Sequence, residues 1–335
     1  MPRTEGAELG EALARVLEPV LGPGVDVEGL ARVAGGSSRE TWSFTAAAAG
    51  ADADAGAGGR GAGPARYVLR RDPPGAPASG VRLEAGLLAA AATAGVPVPG
   101  LVAAGDVDDG LGAAFVVVEF VEGETIPRRI LRDEGLAGAR ARMAGQCGEI
   151  LAAVHAIPPS HVPGLTGGDQ LEALRGLLDH LGQPHPAFEL GLRRLAATRP
   201  PRTDETVVHG DFRNGNLIVG PEGVRAVLDW ELAHLGDPVE DLGWLCVRAW
   251  RFGSPLPVGG FGTVDDLVAA YERVSGRHVD PDVLRWWVAL GTLRWGVICI
   301  VQAMTHTSGL VRSVELAAIG RRVCEVEWDL LEAIA

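Results

Sequence analysis

Three oxygen-bearing side chains stand at fixed intervals late in this chain. They are Asp211, Asn216 and Asp229, in the runs Val207-Val208-His209-Gly210-Asp211-Phe212-Arg213-Asn214-Gly215-Asn216 and Val227-Leu228-Asp229-Trp230-Glu231. Asparagine occurs nowhere in the 335 residues except at Asn214 and Asn216. Short β-type runs separate the three: "TVVHGD", "NLIVG" and "VRAVLDW", the last two joined by the turn formers Pro221-Glu222-Gly223. Asp211 therefore falls on a loop after a strand, Asn216 opens the next strand, and the hairpin returns Asp229 beside Asn216. Two carboxylates and a carboxamide are hard oxygen ligands that suit Mg²⁺, an ion that keeps few protein ligands and completes its shell with phosphate oxygens. Phosphoryl transfer needs such a set. One carboxylate orients or deprotonates the attacking hydroxyl, while an Asn and an Asp hold metal against nucleotide phosphates. A lone Asp-x4-Asn reads as a turn; the added His209 and strand-borne Asp229 favour chemistry.

The elements that must position this set fall into two parts. Leu9, Leu13, Val16, Leu17 and Val20 recur at helical spacing over 6–21. Strands follow at about 25–33, 40–46 and 66–71, then a helix over 80–94 with Leu83, Leu87 and Leu88 inward, closed by Gly95 and Pro97. Residues 113–123 read as a buried strand running into a turn. The Ala/Gly/Asp-rich stretch 46–65 reads as a loop without chemistry of its own. From about 133 the pattern is helical, over 135–156, 170–182, 187–197, 238–250, 263–275, 281–305 and 310–334, interrupted only by the β runs of 206–230.

The run "VVHGDFRNGNLIV…VLDWELAHLGDPVEDLGW" strongly resembles the aminoglycoside phosphotransferase-like, choline-kinase-like branch of the protein-kinase fold. The segments "GGSSRETW", "YVLRR", "VPVPGLVA", "VVVEFVEG" and "LAAVHAI" fall in that family's order, so the resemblance covers nearly the whole chain. It implies an α+β, protein-kinase-like two-lobed fold: a small β-rich N-lobe over 1–118, a hinge at 119–123 and a larger, mainly helical C-lobe over 124–335. It implies ATP and Mg²⁺ as cofactors, with Asp211 as catalytic base or substrate-orienting carboxylate and Asn216 and Asp229 as metal ligands. Arg70 falls where the kinase fold places a strand Lys on the phosphates, and Glu84 matches its helix partner. Strand alternation separates Arg70 from Arg71 and puts Arg70 on the face of Val68. Gly35, Gly36, Ser37 and Ser38 would form the phosphate-covering turn, and Glu119, Phe120 and Val121 the linker whose backbone meets adenine. His209, Arg213, Glu231, Asp237 and Asp241 would support the site from around it.

Composition narrows the rest. The net charge of −13 disfavours nucleic acid as a partner. All 30 basic residues are arginine, so an Arg can stand where a relative carries Lys. The four cysteines form no CxxC pair and read as buried apolar side chains. The polar N-terminus carries no signal-peptide pattern, and Arg294 interrupts the most apolar run, 286–304, so a core helix is expected there and no membrane partner. A cytoplasmic protein follows. The expected partner is a small hydroxylated acceptor, such as a hydroxylated metabolite or a hydroxyacyl-CoA. An antibiotic-inactivating kinase is the alternative, and a nucleotide-binding pseudokinase is the reading from another class.

Overall fold

The computed structural model describes residues 3–33, 39–48, 64–73, 80–201 and 203–335, with side chains from Gly6 onward. The expected turn Gly35-Gly36-Ser37-Ser38 and most of the 46–65 stretch lie outside the described residues. Two compact units divide the chain. The first comprises Met1–Thr93, Pro97–Glu122 and His161–Pro163; the second comprises Ala94–Val96, Gly123–Ser160 and Gly164–Ala335.

The first unit runs α1 (Arg3–Leu21), β1 (Asp26–Arg32), β2 (Glu40–Ala47), β3 (Ala65–Arg71), α2 (Val81–Thr93), β4 (Leu101–Gly105) and β5 (Phe115–Glu119). Its five strands form one antiparallel sheet in the order β1-β2-β3-β5-β4. Leu9, Leu13, Leu17 and Leu21 recur every fourth residue, so α1 carries a single apolar stripe. That stripe is buried in one core with Trp42 and Phe44 of β2, Leu69 of β3, and Phe115 and Val117 of β5. Each such side chain contributes about 1.5–3 kcal/mol by leaving water. Strand alternation sorts the two arginines of β3: Arg71 is buried with Tyr67 and Leu69, whereas Arg70 lies on the other face with Val68.

One expectation changes here, and one strand was not anticipated. Leu87 and Leu88 of α2 point inward as the pattern predicts, but Leu83 is only half-buried and Glu84 is 3% exposed. A carboxylate can turn inward there because two guanidiniums meet it, as described below. The strand β4 carries no alternating pattern in "LVAAG" and is fixed by pairing with β5.

The second unit runs α3 (Pro127–Arg132), α4 (Ala137–His155), α5 (Gln170–Leu181), α6 (Pro186–Ala197), β6 (Thr206–Val208), β7 (Leu217–Gly220), β8 (Gly223–Val227), β9 (His234–Gly236), α7 (Val239–Cys246), α8 (Val264–Ser275), α9 (Pro281–Thr307), α10 (Val314–Gly320) and α11 (Val323–Ile334). Two small antiparallel ladders, β6–β9 and β7–β8, sit among these helices. Among the described residues α9 is the one helix long and apolar enough to cross a membrane. Trp286, Leu290, Leu293, Val297 and Ile300 of this helix are instead buried in a core with Phe188, Leu192 and Leu195 of α6 and with Val326 and Leu330 of α11.

The helix expected over 238–250 stops at Cys246, because Val247 adopts an extended conformation (φ −58°, ψ 136°) and a 3₁₀ turn follows at Arg248–Arg251. The helix expected over 310–334 is two helices broken after Gly320. A side chain at that glycine would stand 2.6 Å from the Ala303 Cβ, so its small size serves packing against α9.

Candidate active site

In the second unit β6 is fully buried and delivers His209-Gly210-Asp211 from its end. Gly210 has φ 76°, and a Cβ there would lie 2.3 Å from the Leu232 carbonyl oxygen, so only glycine fits. The next four residues turn the chain, and Asn216 stands immediately before β7. Leu217 pairs with Val227, and the Leu228 N–H donates to the Asn216 carbonyl at 2.8 Å. Asp229 therefore emerges immediately beyond the partner of Asn216. It does so at φ 65°, a left-handed conformation unusual for a residue with a side chain. Such strain costs on the order of 1–3 kcal/mol and concentrates at functional sites.

The Asp211 carboxylate is held in one orientation. Its Oδ1 accepts from Trp244 Nε1 at 2.8 Å, and its Oδ2 accepts from Asn216 Nδ2 at 2.7 Å. Arg213 Nε lies 3.0 and 3.1 Å from the two oxygens. Asn216 Nδ2 also donates to the Asp211 carbonyl at 2.9 Å. With its amide nitrogen so engaged, the side-chain oxygen of Asn216 is the atom that could ligate an ion. The guanidinium of Arg213 in turn rests 4.6 Å above the Trp250 ring.

His209 is sealed from solvent. The Asp211 N–H donates to its Nδ1 at 3.2 Å, which leaves the proton on Nε2, 3.1 Å from the Leu228 carbonyl. Burial pushes the imidazole below its ordinary value, and the nearby carboxylates Asp241, Asp211 and Asp229 only partly offset this. His209 is thus a neutral bridge from the Asp211 backbone to the residue before Asp229, not a proton carrier.

Asp241, within the first turn of α7, accepts the backbone N–H of His209 at 2.7 Å and of Gly210 at 2.9 Å. His155 Nε2 stands 3.2 Å from the same carboxylate, and His155 Nδ1 is 3.0 Å from the Tyr271 hydroxyl. Asp237 accepts the Val239 N–H at 2.8 Å and the Thr203 hydroxyl at 2.8 Å, which pins the start of α7. Glu231 is exposed.

The two asparagines divide their tasks. Asn216 faces Asp211, whereas Asn214 is fully buried and donates to the Gly259 carbonyl at 2.7 Å, tying the loop to the turn over 258–262. Sequence reasoning gave no role to Asn214, Trp244 or Trp250. Trp244 stands in the quoted run "GDPVEDLGW", but nothing local distinguishes an indole that binds a carboxylate from one that only packs.

The donor chemistry fits Mg²⁺ of the phosphate-assisted kind. Among the described residues no three His, Cys, Asp or Glu side chains form a metal cage, whereas one carboxamide oxygen plus one carboxylate suits an ion that retains water and phosphate ligands.

In the first unit Arg70 Nη1 lies 2.5 Å from Glu84 Oε1, and Arg71 Nε lies 2.9 Å from Glu40 Oε2. The two arginines thus have separate partners on separate faces. Of the expected linker residues, Glu119 ends β5 and donates its N–H to Gly100, and Phe120 donates its N–H to Arg66, each at or below 2.9 Å. The Arg66 guanidinium covers the Phe120 ring at 3.7 Å. Val121 is then the first residue past the sheet's hydrogen bonds.

Among the described residues, two cavities of substantial volume open in the second unit. One, of about 710 Å³, is lined by Arg248, Arg251, Arg322, Glu325, Trp328 and Asp329. Arg248 and Arg251 lie on the 3₁₀ turn that carries Trp250, and none of Asp211, Asn216 or Asp229 lines this cavity. The other, of about 400 Å³, lies by Asp169, Glu205, Asp237 and Trp286; none of Asp211, Asn216 or Asp229 lines it.

Comparison with known proteins follows the same lines. Residues 31–287 match the model of the phosphotransferase enzyme family. Acyl-CoA dehydrogenase family member 10 of Mus musculus is 30% identical over 294 residues, covering 79% of this chain and 27% of that protein. The chain spans less than a third of the length of the curated relatives it matches. Among solved structures, a Ralstonia eutropha JMP134 protein assigned to the aminoglycoside phosphotransferases superposes with a TM-score of 0.70 at 21% identity, covering 97% of each chain. Spectinomycin phosphotransferase, solved with ADP and spectinomycin, superposes with a TM-score of 0.63 at 12% identity, covering 96% of this chain and 98% of its own.

Proposed function

The chain belongs to the phosphotransferase enzyme family, and from that premise we propose that it moves the γ-phosphate of ATP, with Mg²⁺, to a hydroxyl of a small-molecule acceptor. The observation that carries this reading is the Asp211 carboxylate, fixed by Trp244, Asn216 and Arg213 at the foot of the hairpin that ends in Asp229. Asp211 orients the acceptor hydroxyl and takes its proton as the bond to phosphorus forms. Asn216 and Asp229 are the side chains that would hold Mg²⁺, which when bound offsets the charge on the transferring phosphoryl group. Arg213 places a permanent positive charge against the same carboxylate, where it can meet the incoming phosphate oxygens. In the first unit Arg70, set by Glu84, is the arginine assigned to the nucleotide phosphates.

The curated relatives carry acyl-CoA dehydrogenase in their names, which supports a hydroxyacyl-CoA as the first acceptor to try. An antibiotic acceptor is the second reading, supported by the fold of the spectinomycin enzyme.

Transfer from γ-labelled ATP to hydroxyacyl-CoAs, free hydroxy acids and aminoglycosides tests this directly. Turnover is expected with a hydroxyacyl-CoA. Turnover confined to aminoglycosides would defeat that acceptor and favour the antibiotic reading. ATP bound but transferred to nothing would favour the pseudokinase.

A further inference from the structure

Arg39 has no place in the assignments above, yet it is among the most enclosed cations in the first unit. Its side chain is 6% exposed, and its Nε lies 3.2 Å from Asp72 Oδ1, whose side chain is 5% exposed. Its Nη1 meets Glu84 Oε2. The position follows from the sheet register. In the β2–β3 ladder Glu40 opposes Arg71 and Thr41 opposes Arg70, so the next pair outward is Arg39 with Asp72. Glu84 of α2 comes over this end of the ladder. One carboxylate oxygen takes Arg39 and the other takes Arg70.

The result is a neutral quartet, Asp72–Arg39–Glu84–Arg70, in which Glu84 is gripped from two directions. A buried carboxylate left with a single guanidinium partner draws that partner onto itself, since burying unpaired charge is costly. Removing Arg39 would also leave one net negative charge beside the residue assigned to nucleotide phosphates. We propose that Arg39 is a positioning residue for nucleotide binding: by holding Glu84 and offsetting Asp72, it sets the guanidinium of Arg70. The proposal rests on the assignment of Arg70 to the nucleotide phosphates.

The test is nucleotide affinity measured by calorimetry on the whole chain without acceptor, beside the KM values and the thermal midpoint. Arg39→Ala is expected to weaken ATP binding on the order of tenfold, leaving acceptor KM unchanged. Arg39→Lys, which keeps the charge but cannot span Asp72 and Glu84 with a planar fork, should fall between. Asp72→Asn, which leaves Glu84 held by both arginines, should bind ATP within about twofold of the parent, because the Arg39–Glu84 contact remains. Should Arg39→Ala fail to fold, Arg39→Lys and Asp72→Asn carry the comparison. Wild-type affinity in the Arg39 variants while Arg70→Ala loses binding overturns the positioning role alone. Equal losses in Asp72→Asn and Arg39→Ala also overturn it, by reducing the quartet to a structural brace. Unchanged affinity in Arg70→Ala removes the phosphate assignment and the proposal with it.

Discussion

Asp211→Ala is expected to lower kcat by roughly 10²–10⁴-fold, the usual effect of removing a positioned acid–base group, while ATP binds nearly as before. The carboxylate is the meeting point of three N–H donors, from Trp244, Asn216 and Arg213. None of these depends on it to remain in the fold: Trp244 packs on Trp250, and Asn216 keeps its hydrogen bond to the Asp211 carbonyl. The loss should therefore appear in turnover, not in nucleotide affinity. Asp211→Asn is not the milder variant it resembles. Donors approach both carboxylate oxygens, so an amide NH₂ on either side would face another donor. Single-turnover rates and calorimetric ATP affinity for Ala and Asn variants check this. A fully active Asp211→Ala enzyme would end the assignment.

Asp241→Ala is expected to destabilise the second unit by about 3–5 kcal/mol, as removing one partner of a buried charged network does. It would leave the amides of His209 and Gly210 and the His155 ring without their acceptor, in a place water does not reach. Burial alone would raise the Asp241 carboxyl, but the His155 hydrogen bond, the His155 ring beside it and the His209 amide outweigh it. The group is held below the ordinary carboxylate value of 3.8. The sign of the pH dependence follows. Stability from Asp241 is present in full above pH 3.8 and is lost as pH falls through the lower folded value. Unfolding free energies of wild type and Asp241→Ala should differ most near neutrality and converge in strong acid. Denaturant melts at several pH values measure the gap. A gap that is small at pH 7, or that widens in acid, would contradict the bracing role.

Much of the site could be read from spacing because its parts are close in sequence. Asp211, Asn216 and Asp229 lie on one loop and one hairpin, so strand period and turn residues suffice to bring Asp229 next to Asn216. Arg70 and Glu84 needed the family resemblance to be paired, and their contact is present within the first unit. The residues that were missed reach the site from elsewhere. Trp244 comes to Asp211 from α7, 33 positions on, and Asn214 finds its acceptor at Gly259, 45 positions on. Arg39 touches Glu84 only because the β2–β3 register carries it to the end of the ladder. Such contacts are set by packing of whole elements, which a local pattern does not encode. The breaks in the last helices were hidden for the same reason: Val247 has no breaker's side chain, and Gly320 is small because Ala303 stands opposite.

The most direct measurement is ATP affinity with and without Mg²⁺ for the parent protein, Asn216→Ala and Asp229→Ala. If these two side chains present their oxygens together at the foot of the hairpin, Mg²⁺ should tighten ATP binding to the parent by on the order of tenfold or more, and most of that gain should vanish in both variants. An undiminished Mg²⁺ effect in Asp229→Ala would mean that its strained backbone serves something other than holding the ion, and the phosphoryl-transfer reading of this hairpin would fall.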